Sequence, residues 1–261
     1  MTHDKTIGFI GGGRVVRIML GGFARAGRMP GRVVVSDVNG QVLDDLKRRF
    51  PGIVTAPHDN QAPAREGIVF LALHPPAVAG VLPEIRPVLG AGSVVVSLAP
   101  KVTCAKLAEG LGGFRNVARV IPNAPSIVNA GYNPLAFARS LAPDAKTSLV
   151  NLLGSLGKCP EVPEAHLEAY AILTAMGPTY LWFQLGELQE LGKSFGLDEA
   201  AVREGLADMV IGTVRTMMEA GLRDVNEAID LIPVRPLAED EAAIRDSYRS
   251  RLTALHAKLR S

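Results

Sequence analysis

Cysteine is almost absent: Cys104 and Cys159 are the two in 261 residues, far apart and outside any CxxC spacing. That excludes a disulfide framework and a thiolate zinc site, and it fits a reducing cytoplasm. No apolar run reaches the roughly 18 residues that a membrane span requires. The opening Met1-Thr2-His3-Asp4-Lys5 leads straight into an apolar run, without the shape of a cleavable signal. An excess of one charge sign is also missing, since 28 Lys+Arg face 26 Asp+Glu for a net of +2. This balance excludes a charged disordered tail and argues against a dedicated nucleic-acid binder. The five histidines (His3, His58, His74, His166, His256) are scattered and predict no metal site. There is no H-E-x-x-H, no G-x-S-x-G, no Walker pattern, no internal repeat and no low-complexity tract. The expectation is a cytoplasmic protein with no membrane, nucleic-acid or metal partner.

What remains is an apolar chain, 48% hydrophobic, with room for between one and two domains. Charge is unevenly placed: residues 1–159 carry a net of +9 and residues 160–261 a net of −7. A basic half suits a phosphate-bearing ligand, although chance asymmetry gives the same count. In that half, short Val/Ile/Leu-rich runs alternate with amphipathic stretches. The runs are Thr6–Ile10, Arg32–Ser36, Gly67–Leu73, Ser93–Ser97 and Val117–Ile121; helical stretches cover 14–26, 40–50, 76–89 and 103–111. Runs scarcely broken by polar residues read as strands covered on both faces, so the alternation predicts a doubly wound parallel sheet. A strand near Tyr132–Ala138 and a helix over Ala145–Leu156 complete it.

Beyond Gly157 the period changes. Leu181, Leu185, Leu188, Leu191 and Phe195 recur at helical spacing, as do Val202, Leu206, Val210, Val214 and Met217, and later Ile244, Tyr248, Leu252, Leu255 and Leu259. Gly177-Pro178 is expected to break a helix, Gly196 and Asp198 to stop one and cap the next, and Pro233–Pro236 to be a loop. The apolar stripes exceed what one small domain hides, which predicts a homodimer through these helices. Trp182-Phe183 reads as core or dimer interface, or as a wall of the substrate pocket.

Ile7-Gly8-Phe9-Ile10 runs into Gly11-Gly12-Gly13 and then a helix, the context of a dinucleotide-binding turn. Gly11 permits the sharp turn, Gly13 lets a pyrophosphate approach, and the helix from Arg14 and Val15 aims its amides at the phosphates. Val16 stands where a third small residue is usual. Asp37, at the end of the second strand, can accept hydrogen bonds from an adenosine ribose, which favours NAD; Arg14 can reach an extra phosphate, which favours NADP. Asp37 can equally cap helix 40–50. The cofactor is therefore NAD or NADP.

With these segments in view, the chain resembles the pyrroline-5-carboxylate reductase family over roughly residues 6–220. The likeness rests on Ile7–Gly13, Ser36-Asp37, Phe70-Leu71-Ala72-Leu73-His74-Pro75, Ser97-Leu98-Ala99, Pro122-Asn123-Ala124-Pro125 and Gly177-Pro178-Thr179-Tyr180. It implies an N-terminal Rossmann domain, a C-terminal helical domain that dimerises by interleaving helices, and an active site between them. It places Asn60, Ala72, Leu73, His74, Pro75, Ser97 and Ala99 along the cofactor, and Asn123 at the border of cofactor and substrate. It also exposes departures. The family's lysine in alanine-valine-lysine-proline is His74 here, and Lys101 stands where a glycine is usual. The glycine-serine-glycine-proline turn becomes Ala175-Met176-Gly177-Pro178, and a hydroxyl-bearing position becomes Phe183. The serine-proline-glycine-glycine-threonine segment is replaced by Asp230–Pro236. Donors are lost and apolar bulk is gained, so a larger or more apolar substrate is expected.

The combined reading is an α/β protein, with a Rossmann doubly wound parallel sheet over 1–160 and an all-α dimerisation domain over 161–261. The expected function is NAD(P)H-dependent reduction of a C=N bond, with a C=O bond as the second choice, in a small substrate, cyclic imines included. Alternatives are a genuine pyrroline-5-carboxylate reductase of proline biosynthesis and a non-catalytic dinucleotide sensor or assembly protein. Lys101, His74 and Tyr180 are the catalytic candidates. Against them stand a solvated loop lysine, a strand-end cap and a core aromatic. Met176, Gly177, Thr179 and Arg235 join Asn123 as substrate-binding candidates; Arg235 can grip a carboxylate in two-pronged fashion or sit on the surface. Glu164 and Glu168 match acidic family positions, and the simple expectation for them is solvated first-turn acids.

Overall fold

The structure, a computed structural model, describes residues 5–260. The reading of Met1–Asp4 as lacking a signal, His3 included, lies outside these residues. The first unit runs to Met176 and takes back the chain from His256; the second is Gly177–Leu255.

The first unit alternates β1 (Thr6–Ile10), α1 (Arg14–Arg25), β2 (Arg32–Asp37), α2 (Gly40–Arg49), β3 (Val54–Pro57), α3 (Gln61–Ala64), β4 (Ile68–Leu71), α4 (Pro75–Ile85), β5 (Val94–Ser97), α5 (Cys104–Gly110) and β6 (Val117–Val120). Then come β7 (Gly131–Tyr132), β8 (Leu135–Phe137), α6 (Pro143–Leu153), β9 (Gly157–Lys158) and α7 (Leu167–Tyr170). Seven strands form one sheet in the order β3-β2-β1-β4-β5-β6-β8, parallel except for β8 against β6. The predicted α/β class and doubly wound sheet are therefore present.

Why the strands read as continuous apolar runs is visible in the packing. Ile7, Phe9, Phe70, Val94 and Val96 point to one face, under α1 and α6. Ile10, Val69, Leu71, Val95 and Val117 point to the other, under α4 and α5. Side chains alternate with period two, and both faces are covered. Gly8 is required by this layering: a Cβ there would lie 2.0 Å from the Pro63 carbonyl oxygen. The first unit extends to Met176 because Leu167 and Ala171 pack against Ile121 and Ala136, with Leu259 alongside.

The second unit contains α8 (Pro178–Ser194), α9 (Glu199–Glu219), α10 (Val225–Asp230) and α11 (Glu241–Arg260), whose last turns belong to the first unit. Asp198 caps α9 by accepting from the Ala201 N–H, as predicted. Pro233–Pro236 lies in the loop before α11. Val202 is the one buried hydrophobic residue of this unit.

Candidate functional site

The sheet order reverses direction between β1 and β4, and in such sheets ligands bind outside the carboxyl ends of the strands at that point. Three backbone bonds tie this edge together: Gly11 N–H to Ser36 O, Ala72 N–H to Ile10 O, and Leu98 N–H to Leu71 O, at 2.8, 2.8 and 3.1 Å. Gly11 is left-handed at φ +93°, and a Cβ would lie 2.5 Å from Ala72 O. Gly12 is buried; its N–H donates to Asp37 Oδ2 at 2.7 Å. Gly13 is different. Its φ is −67°, any residue could adopt it, and a Cβ would meet nothing within 4 Å. Among the described residues, nothing accepts from the N–H groups of Gly13, Arg14 or Val15. Three free donors at a helix N-terminus under open space fit a nucleotide pyrophosphate.

Asp37 also accepts from Asn39 N–H at 2.8 Å, and each carboxylate oxygen keeps a second lone pair. It does not cap α2; Asn39 does, accepting from Gln41 N–H. Arg14, Arg17 and Arg49 line a groove of about 200 Å³ between α1 and α2, floored by Val42 and Leu46. Asn60 is a bracket: its Oδ1 accepts from Ser36 Oγ and its Nδ2 donates to Glu84 Oε2, both at 2.9 Å.

Ala72 and Leu73 are half-buried at the end of β4, and Pro75 opens α4. His74 is exposed at the N-cap position of α4, yet its side chain makes no capping bond. Ser97 ends β5 and Ala99 follows in the turn, both buried, with Ser97 Oγ accepting from Ala99 N–H at 3.2 Å. Lys101 follows in the left-handed region, at φ 71°. It borders a cleft of about 510 Å³ floored by Pro75, Val78 and Leu82 of α4.

Beneath that turn lies an arrangement that the expectation for Glu164 and Glu168 missed. Arg119 of β6 is 1% exposed. Its Nη2 donates to Glu168 Oε1 at 2.6 Å and its Nη1 to Glu164 Oε1 at 3.2 Å. The same Glu168 oxygen accepts from Lys101 N–H at 3.1 Å, and Glu164 Oε1 accepts from Cys104 N–H at 2.7 Å. Both acids stand in first turns, as expected, but neither is simply solvated: Glu164 is half-buried and Glu168 is buried. A signal was present in the sequence, since an arginine inside Val-Ala-Arg-Val demands a buried counter-charge. Burial pushes the Glu168 carboxyl up, but the bond and charge of Arg119 and the Lys101 N–H outweigh it and hold it below the usual range. Burial first, then the Glu164 carboxylate, pushes the Cys104 thiol up to about 12.

Asn123 is buried, and both ends of its amide are engaged. Its Oδ1 accepts from Tyr132 N–H at 3.1 Å and its Nδ2 donates to Thr174 O at 3.3 Å. Thr174 lies four residues before Pro178, whose missing N–H leaves that carbonyl without a helical donor. The chain there widens into a π-helical turn, Ala171–Ala175, with Met176 N–H bonded to Ala171 O at 3.0 Å. Gly177-Pro178 thus breaks the helix as predicted, and Met176 closes the first unit.

Within the second unit, Thr179 is exposed on the first turn of α8. Tyr180 meets Tyr248 edge-on at 5.8 Å; burial and then Tyr248 raise its phenol. Arg235 is bonded to Glu241, which also holds Arg245. Trp182 and Phe183 are exposed, so neither is core of this chain. Among the described residues no His/Cys/Asp/Glu group could hold a metal ion, and no helix is long and apolar enough to cross a membrane.

Residues 6–101 match the family described as NADP oxidoreductase, coenzyme F420-dependent, a span from β1 to the Lys101 turn. The Escherichia coli K12 pyrroline-5-carboxylate reductase is 28% identical over 219 residues, covering 84% of this chain and 81% of that protein. A solved pyrroline-5-carboxylate reductase from Coxiella burnetii is 28% identical with a TM-score of 0.70, covering 98% of this chain and 94% of that one. The fold also matches a Plasmodium falciparum pyrroline carboxylate reductase solved with NADP bound, with a TM-score of 0.83 at 19% identity, covering 100% and 98%.

Proposed function

We propose that this chain, 28% identical to pyrroline-5-carboxylate reductases over most of its length, is an NAD(P)H-dependent reductase of a C=N bond. The observation that carries the reading is the glycine turn, with open space over Gly13 and three free N–H donors. When bound, the reduced nicotinamide supplies the hydride. The chain's residues do the rest. Gly13, Arg14 and Val15 hold the pyrophosphate through their N–H groups. Asp37 accepts from the adenosine ribose, and Arg14 with Arg17 supplies charge for a phosphorylated ribose. Ala72, Leu73 and Ala99 wall the cofactor at the ends of β4 and β5. Lys101 protonates the imine nitrogen or pairs with a substrate carboxylate from the turn after β5.

The substrate we propose is a small cyclic imine, larger or more apolar than pyrroline-5-carboxylate. Support comes from Met176, Phe183 and Asp230–Pro236, which stand where the family has small, hydroxyl-bearing or glycine-rich segments. A screen of cyclic imines with NADPH and NADH tests this. Turnover is expected on a bulkier imine in preference to pyrroline-5-carboxylate; efficient reduction of pyrroline-5-carboxylate itself would overturn the altered pocket.

We also propose a cytoplasmic homodimer. Val202 is the sole buried hydrophobic residue of Gly177–Leu255, while Leu181, Trp182, Phe183, Phe195, Ile211 and Met218 are exposed. Helices without a core gain little stability alone, so a second copy is the natural cover.

A further inference from the structure

The turn after β5 is held from below by two carboxylates that come from one short stretch of chain, residues 164–168. Glu164 takes the first N–H of α5, at Cys104, and Glu168 takes the N–H of Lys101. Both are drawn to the buried Arg119, which no other described acid pairs. Lys101 is left-handed at φ 71°, a conformation that a side chain other than glycine keeps only where the surroundings impose it. The bond from its N–H to Glu168 Oε1 is one such constraint, because rotating residue 101 out of this region redirects that N–H.

We propose that Glu168, anchored by Arg119, is a positioning residue that fixes the backbone of Lys101 and thereby aims its ammonium at the cleft it borders between α4 and α5; this rests on the reductase reading above. One charged oxygen serves two donors, the Arg119 Nη2 at 2.6 Å and the Lys101 N–H at 3.1 Å. An amide at 168 keeps an oxygen that can accept from both donors but loses the charge, and with it the stronger bond to Arg119 that holds that oxygen in place. Aspartate keeps the charge, but is one methylene too short to serve both.

Turnover of the preferred imine is measured for the unaltered enzyme, Lys101→Met, Glu168→Gln and the double variant, with nucleotide affinity alongside. Lys101→Met is expected to lower kcat by about 100-fold, the scale of a lost proton donor. Glu168→Gln is expected to lower kcat by about tenfold while nucleotide affinity stays within about twofold, as for a misplaced rather than missing group. In the Lys101→Met background the Glu168 change is expected to cost less than about twofold, because its effect runs through Lys101. Glu168→Asp, the variant to use where the amide fails to fold, follows the same pattern. An equal loss from the Glu168 change with and without Lys101, or full activity in Lys101→Met, overturns the proposal and leaves the reductase reading standing. An unaltered enzyme that reduces no imine overturns that reading, and this role with it.

Discussion

Gly11 and Gly13 sit two residues apart in one turn and obey different constraints. Gly11 is left-handed and pressed on Ala72 O, so Gly11→Ala is expected to destabilise the fold by about 1–3 kcal/mol. Gly13 has ordinary backbone angles and an empty space beside it. Gly13→Ala is expected to leave stability within about 0.5 kcal/mol and to weaken NAD(P)H binding by about tenfold, roughly 1.4 kcal/mol. Urea unfolding and nucleotide titration of both variants check the contrast; unchanged affinity in Gly13→Ala counts against phosphate binding there. Glu168 makes a second prediction. Its carboxyl titrates below the ordinary range, to which an unfolded chain returns it, at about 4.3. The sign follows: its contribution is complete above about pH 5 and is lost as pH falls through the folded value. The stability gap between the protein and Glu168→Gln, about 1–3 kcal/mol near neutrality because Glu164 still pairs with Arg119, is expected to narrow as pH falls below about 4. Urea midpoints at both pH values measure it, and a gap independent of pH contradicts the pairing. The glycine turn was legible in the sequence because its constraints are local. Arg119 announced the need for a counter-charge, but its partners could not be read, because they lie 45 and 49 residues away.

The same distinction separates the elements that were readable from those that were not. β1, β2, β4, β5 and β6 are buried on both faces, and their apolar runs announced them. β3 is an edge strand with Val54 exposed and Pro57 at its end, so its four residues carry no apolar run. The predicted strand near Tyr132–Ala138 resolves into β7 and β8, and only the longer one joins the main sheet. Helix patterns gave α1, α2, α5 and α6 within a few residues, whereas Pro83 and Pro87 turn the end of the predicted 76–89 helix into a 3₁₀ segment, Arg86–Val88, after α4. The π-helical turn illustrates how one element supports another: Pro178 strips a donor from Thr174 O, and Asn123 replaces it from the loop after β6. Asn123→Ala is therefore expected to cost about 1–3 kcal/mol, by stranding the Thr174 carbonyl and the Tyr132 N–H. Chemical denaturation measures this; a loss of turnover with stability unchanged would contradict the bracing role.

At the level of the whole chain, the two units differ in how they are held. The first encloses a cluster of buried side chains on each face of its sheet and a smaller third one around Leu167 and Ala171. The second leaves much of the stripes that the sequence had marked as helical faces exposed, Leu181, Leu188, Phe195, Val214 and Ile244 among them; period reveals a face and leaves its cover unnamed. If a second copy is that cover, light scattering gives twice the 27.7 kDa of one chain. Phe183→Asp, on an exposed face of α8, is then expected to shift the protein toward single chains, and a mass unmoved by this change argues against that face. The redox assignment depends on the turn after β1, and a fluorescence titration of the purified protein with NADPH and with NADH tests it most directly. Saturable binding of at least one of the two in the micromolar range, weakened in Gly13→Ala, is the predicted result. No association of either at millimolar concentration would contradict the account.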